Sequence, residues 1–279
     1  MRRNSPPAGG AELLRWRSEP GTAVSGRLAR RLPSPREFVV PPLRTECRWD
    51  LSPAEARALQ IAWAPRVRRR NAAGVRRARL VAGVDVSVVA DRARAAIVVL
   101  ESAGLTLVEY AAAEEPVRFP YVPGLLSFRE CPVILQAYGR LVVRPELLIV
   151  DGNGYAHPRR FGLACHLGVL LETPTIGCAK SHFIGRYEPP AEQRGSSSLL
   201  AEGREVLGAV VRTRDRVRPV FVSSGHRIDL PTAVAWTLAT TNGCRLPEPV
   251  RCAHDAAAGR TPRPRVRSTA KGGLRGAPA

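Results

Sequence analysis

LVAGVDVSVVA, residues 80–90, and ELLIVDGNG, residues 146–154, decide the fold. In the first stretch every even position is apolar (Leu80, Ala82, Val84, Val86, Val88), while Asp85 and Ser87 fall on the opposite face. That period of two is the signature of a strand. The second stretch is continuously apolar until it stops at Asp151, the form taken by a short strand buried on both faces. One amphipathic strand and one fully buried strand, far apart in sequence, already point to a layered sheet.

Working outward, RAAIVVLES (94–102) and LTLVEYAAA (105–113) extend the first strand into a meander, with Gly104 at the turn. A Pro-rich loop at 116–124 leads to a helix expected near 132–142, where Ile134, Ala137, Tyr138 and Leu141 share a face. A second helix, about 161–172, carries Leu163, Leu167, Leu170 and Leu171 on one stripe. Strands are expected at 175–181, 205–213 and 219–224, and a last helix from about Leu230 to Thr240. Ahead of the meander, Ser52 to about Val67 has an acidic start and places Leu59, Ala62 and Trp63 on one helical face. EPPAEQRGSSS (188–198) reads as a polar loop inside the domain. The fold class is therefore α/β, a mixed sheet flanked by helices, with no internal repeat.

Composition bounds the function. Of 279 residues 44% are hydrophobic and 24% charged, which argues against wholesale disorder and a collagen-like fibre. No run reaches the ~18 apolar residues of a membrane-spanning helix, and MRRNSPPAGG has no apolar region behind its basic residues. A soluble cytoplasmic protein without a membrane partner is expected. Net charge is +19, with +6 in residues 1–44 and +6 in 259–279. The expected organisation is a disordered basic extension over 1–45, a catalytic domain over 46–257 and a disordered basic tail over 258–279. Two readings of the charge are open: an Arg-heavy coding bias, since 41 of 43 basic residues are Arg, or attraction to nucleic acid. The six Cys (47, 131, 165, 178, 244, 252) form no C-x-x-C pair, as suits a reducing compartment.

Several residues could carry chemistry. Asp85 and Asp151 sit on strands among apolar neighbours, and a buried carboxylate needs a partner. Backbone N–H groups would satisfy either, most easily Asp151 before its Gly-Asn-Gly turn; the alternative is a divalent metal held where open α/β sheets bind ligands. Ser127-x-x-Glu130 fits a capping box, whereas Pro132 favours a helix start nearer Cys131. His226 follows a strand in GHRID, with Asp229 placed to cap the next helix, and His157 lies in the turn-like HPRR. Lys180 is the sole Lys between the tails, either by chance or as a compact charge for a phosphate. Pro120-Tyr121-Val122-Pro123 is a rigid aromatic tip that either packs on the core or inserts between stacked bases. Gly152 and Gly154 make either an ordinary turn or a bare surface for a flat base.

Taken together, GVDVS (83–87), PYVPGLLSFRE (120–130), LLIVDGNGYAHPRRFGLACHLGV (147–169), TIGCAKS (175–181), GHRIDLPTAVAWTL (225–238) and RLPEPVRCAH (245–254) resemble the endonuclease V family over roughly residues 52–255. The resemblance implies a ribonuclease-H-like fold in a single domain. It also implies a Mg²⁺-dependent endonuclease, with Mn²⁺ as substitute, acting as a monomer on DNA that contains deaminated bases, chiefly deoxyinosine. Such enzymes nick the second phosphodiester bond 3′ to the lesion, leaving a 5′-phosphate and a 3′-hydroxyl, and so start DNA repair. By position, Asp85, Glu130 and Asp151 match the metal-binding carboxylates, His226 a fourth active-site residue, and Lys180 a lysine near the cleaved phosphate. Pro120, Tyr121, Val122 and Pro123 match a wedge that fills the place of a rotated base; Gly152, Gly154 and His157 match its pocket. Pro231, where many members carry an acid, and Cys244, where an aromatic is common, depart from the pattern. The alternatives are an endoribonuclease specific for inosine in RNA, with the same site, and a non-catalytic lesion binder.

Overall fold

The computed structural model describes residues 48–266. The basic extension expected over 1–45, Cys47 and the end of the C-terminal tail lie outside the described residues. In chain order the elements are α1 (Pro53–Trp63), β1 (Leu80–Val89), β2 (Arg92–Glu101), β3 (Thr106–Pro116), α2 (Leu126–Gly139), β4 (Leu147–Val150), α3 (Leu163–Leu171), β5 (Thr175–Ala179), β6 (Ser197–Glu202), β7 (Glu205–Val211), β8 (Val220–His226), α4 (Leu230–Ala239) and α5 (Glu248–Ala257). The eight strands form one sheet in the order β3-β2-β1-β4-β5-β8-β7-β6. β1, β4 and β5 run parallel at its centre, and the outer pairs are antiparallel. None of the described helices is long and apolar enough to cross a membrane.

Both faces of the sheet are covered. On one, Ala82, Val84, Ile97 and Val99 pack with Ile134, Ala137, Leu163 and Leu167 of α2 and α3. On the other, Val81, Leu147, Ile149 and Ile176 meet Ala233 of α4 and Val250 of α5, while Ala96, Val98 and Leu100 meet Cys252, Ala253 and Ala256 of α5. Asp85 does face away from the even-numbered apolar stripe, but that second face is covered by α5 rather than open. The close approach falls at Gly83, where a Cβ would lie 2.0 Å from the Pro249 carbonyl group.

Two local readings are corrected, and one helix is added. α2 begins at Leu126, six residues before the expected start, and carries Pro132 in its interior. Leu125 is the N-cap, with no side-chain cap. Ser127 bonds the His166 ring at 3.0 Å instead, so the capping box does not form. The polar stretch at 188–198 runs into an unanticipated strand, β6, which pairs with β7 across a turn at Gly203. α5 was also unanticipated: Pro247 and Pro249 look like loop residues in sequence, but here they open the helix, where a missing N–H costs nothing. The described chain after α5 folds back onto that helix. The fully buried Glu248 accepts from Arg251 at 2.6 Å and from the Arg265 N–H at 2.5 Å, because a buried carboxylate needs donors.

Candidate active site

Two adjacent parallel strands create the site. Val84 pairs with Val150, so the next residues, Asp85 and Asp151, emerge side by side about 4.8 Å apart in the backbone. The Asp151 N–H bonds the Val84 carbonyl at 2.9 Å and fixes the register at that point. Glu130, in the second turn of α2, completes the group. Burial pushes its carboxyl up to about 8, and the charges of Asp85 and Asp151 push the same way. Asp151 is raised too, by burial first and Asp85 second, against the opposing pull of Lys180.

Two basic groups answer this negative charge. Lys180, one residue past β5, forms an ion pair with Asp151 Oδ2. Burial disfavours the Lys180 charge, but the bond to Asp151 outweighs it and raises its pKa. His254 of α5 donates from Nδ1 to Asp85 Oδ2 at 2.7 Å, while Asp85 Oδ1 accepts the Val86 N–H at 2.9 Å. His254 received no role in the sequence reading, although it closes the RLPEPVRCAH motif. A helical register would have placed it beside Val250 and Ala257, at the edge of the buried face of α5.

The donor set is three carboxylates, hard oxygen ligands of the kind that suit Mg²⁺ or Mn²⁺. Their burial and mutual repulsion are what a cation relieves, so the residues fit such an ion. Among the described residues no three Asp, Glu, His or Cys side chains already converge as a ready metal cage; one oxygen of Asp85 and one of Asp151 are turned to His254 and Lys180.

The structure does not bring His226 to this group. β8 runs antiparallel to β5, pairing Ala179 with Phe221 at the Lys180 end and Thr175 with His226 at the other. Three residues of β5, about 10 Å, separate the level of His226 from that of Asp151. There it is buried at 1% exposure. Its Nδ1 accepts the Arg68 N–H at 3.3 Å and its Nε2 lies 3.7 Å from Glu172 Oε2. Burial lowers its pKa.

The wedge and pocket residues divide. Tyr121 is 71% exposed on a loop with Pro120 and Pro123 also exposed and Val122 packed beside Phe119 and Phe128. It is Phe119, not Tyr121, that fills the core. Gly152 is half-exposed next to Asp151. Gly154 is a packing position: its N–H donates to Ser223 Oγ and its carbonyl accepts from Gly162, so neither group is open to a base. His157 is buried as well. Its Nδ1 accepts the Arg159 N–H at 3.2 Å and its Nε2–H donates to the Gly124 carbonyl at 2.9 Å; burial holds it neutral, its pKa lowered to about 4.

Residues 62–255 match the family model for endonuclease V. The chain belongs to the endonuclease V family. An endonuclease V from Roseiflexus sp. is 50% identical over 216 residues, covering 77% of this chain and 96% of its own. One from Gloeobacter violaceus is 51% identical over 213 residues, covering 74% and 85%. Among solved structures, endonuclease V of Streptomyces avermitilis superposes with a TM-score of 0.71 at 46% identity, covering 76% of this chain and 93% of that one. The Ciona intestinalis endonuclease V, solved with a 24mer DNA containing an inosine followed by a ribo-adenosine, gives a TM-score of 0.65 at 28% identity, covering 74% and 96%. The sheet is thus a ribonuclease-H-like fold, and the protein is a nuclease.

Proposed function

We propose that this endonuclease V is a Mg²⁺-dependent enzyme that recognises deaminated bases, chiefly deoxyinosine in DNA, and nicks the second phosphodiester bond 3′ to the lesion. The observation that carries this reading is that Asp85 of β1 and Asp151, just past β4, leave adjacent parallel strands with Glu130 of α2 close enough for their charges to raise its pKa. Asp85, Asp151 and Glu130 would hold the ion, which when bound polarises a phosphoryl oxygen and acidifies water. Mn²⁺, with the same preference for oxygen, would substitute.

The chain's own residues do the rest. His254 Nδ1–H keeps Asp85 Oδ2 oriented, and Nε2 of its half-exposed ring would accept a proton from the attacking water. The Lys180 ammonium stands beside Asp151, placed to meet a phosphate oxygen as a point charge. Tyr121, exposed and stiffened by its flanking prolines, fills the gap left by a rotated base, and Gly152 offers a surface without a side chain for that base. Extrusion costs a few kcal/mol, least at a mismatched base, so the lesion helps select itself. Cleavage leaves a 5′-phosphate and a 3′-hydroxyl and begins repair in the cytoplasm, the protein acting as a monomer.

The deciding experiment compares nicking of a duplex with one deoxyinosine, in Mg²⁺ and in EDTA, beside the same sequence as RNA. A Mg²⁺-dependent nick one nucleotide beyond the lesion in DNA is the expected result. Cleavage of RNA alone would assign the same site to inosine in RNA, and cleavage of neither would leave a lesion-binding protein.

A further inference from the structure

Gln60 is the least expected buried residue of the molecule. It lies on α1, is 1% exposed, and uses every polar group it has. Its Nε2 donates to the Gly124 carbonyl and to the Phe161 carbonyl, both at 3.0 Å. Its Oε1 accepts from Arg159 Nε at 2.5 Å. Arg159 Nη2 and His157 Nε2 reach the same Gly124 carbonyl at 2.8 and 2.9 Å. Three donors therefore share one acceptor that has two lone pairs. The acceptor belongs to the residue that ends the PYVPG tip; Gly124 has φ +78°, and a Cβ there would lie 2.8 Å from Arg159 Nη2.

The donors come from elsewhere in the chain. His157 and Arg159 belong to the loop 151–162 that starts at Asp151 and contains Gly152, and Gln60 ties that loop's far end at Phe161 to the same point. We infer that Gln60, His157 and Arg159 form a clamp on the Gly124 carbonyl that holds the Tyr121 tip in register with loop 151–162. Gln60 is thereby a positioning residue: it touches neither the reacting phosphate nor the base, but sets where the tip stands relative to the surface that receives the base. The inference rests on the reading of Tyr121 as a wedge. A rigid link matters because a tip displaced by about 1 Å can cost on the order of 10²-fold in rate.

The test uses the full chain and two variants. Gln60→Met keeps the volume and removes all polar contacts; Gln60→Glu keeps the pairing with Arg159 but cannot donate to either carbonyl. Two quantities are read. In the protein alone, hydrogen exchange at Leu125 and Phe128, whose N–H groups close the turn behind the tip, is expected to accelerate about tenfold while β4 and β5 stay protected. In nicking, the ratio of kcat/KM on duplex deoxyinosine to that on the same single strand, where no stacked neighbour needs replacing, is expected to fall between about 10- and 100-fold. Unchanged exchange in both variants would overturn the clamp, and a parallel loss on duplex and single strand would overturn its role in base extrusion. If the unaltered protein cuts neither substrate, the functional reading fails, and the exchange measurement still decides the clamp.

Discussion

The two ends of the central strands each hold a histidine beside a carboxylate, and the pairs are chemically opposite. At one end His254 is half-exposed and bonds Asp85 at 2.7 Å, within a cluster that also holds Glu130, Asp151 and Lys180. At the other, His226 is sealed from solvent and stands 3.7 Å from Glu172, hemmed in by the Arg68 backbone and Thr175. The first pair lies among like charges that burial makes costly, the setting in which functional groups cluster. The second sits where a strand ends against a neighbouring loop, and its bonds hold that loop down. A histidine next to an acid is therefore not a catalytic signal in itself; what surrounds the pair decides.

The sharpest break between the ends is expected from the acids. Asp85→Asn or Asp151→Asn should lower nicking by about 10³-fold or more if these groups hold the ion as proposed. Single-turnover assays in Mg²⁺ check this, and a variant retaining more than about a tenth of the rate would remove that residue from the site. Next come the histidines. His254→Ala should cost about 10²–10⁴ in rate, the range for a lost proton acceptor, with little loss of melting temperature. His226→Ala should do the reverse: nicking within a few-fold of the unaltered protein, and about 1–3 kcal/mol of stability lost as the Arg68 N–H is orphaned. Equal kinetic defects in both variants would erase the distinction drawn here.

The pH dependence of stability should separate them as well. Glu130 has a folded pKa of about 8, so between the ordinary carboxylate range and pH 8 the folded chain binds more protons than the unfolded one. Its contribution is full at low pH and is lost as pH rises towards 8. His226 is depressed by burial, as are His157, to about 4, and His166, to about 3. Their contribution is present above the ordinary histidine pKa of ~6.5 and lost as pH falls below it. Melting scans in EDTA should show both limbs; Glu130→Gln should flatten the alkaline limb, and Mg²⁺ at pH 8 should restore stability only while Glu130 is present. An alkaline limb that persists in Glu130→Gln would refute this assignment. The smallest effect concerns the termini. Removing residues 1–45 and 267–279 takes away +9 of the net charge of +19, and should flatten the salt dependence of DNA affinity while leaving the preference for deoxyinosine intact.

Much of this was legible in the chain itself. Period-two and all-apolar runs located seven of the strands, because a strand's side-chain alternation is a local property. The same runs placed Asp85 and Asp151 at strand positions with no cheap way to bury a charge. The motifs of the GVDVS and LLIVDGNG stretches carried the family. α5 and β6 escaped notice for local reasons: two prolines masked a helix start, and a polar hairpin strand has little apolar signal.

Only the tertiary structure chose between the histidines. GHRID stands out in sequence more than the end of RLPEPVRCAH, yet the antiparallel direction of β8 carries His226 to the far end of the sheet. Gly83 lets α5 close on β1 and bring His254 to Asp85. In the same way Gln60 reads as one polar position on an amphipathic helix until folding brings it to Gly124 and Phe161, 64 and 101 residues away. Sequence fixes what each residue can do within its own strand or helix, because pattern and propensity act over a few residues. Which residues meet depends on strand direction and helix docking, and those are set by contacts between distant parts of the chain.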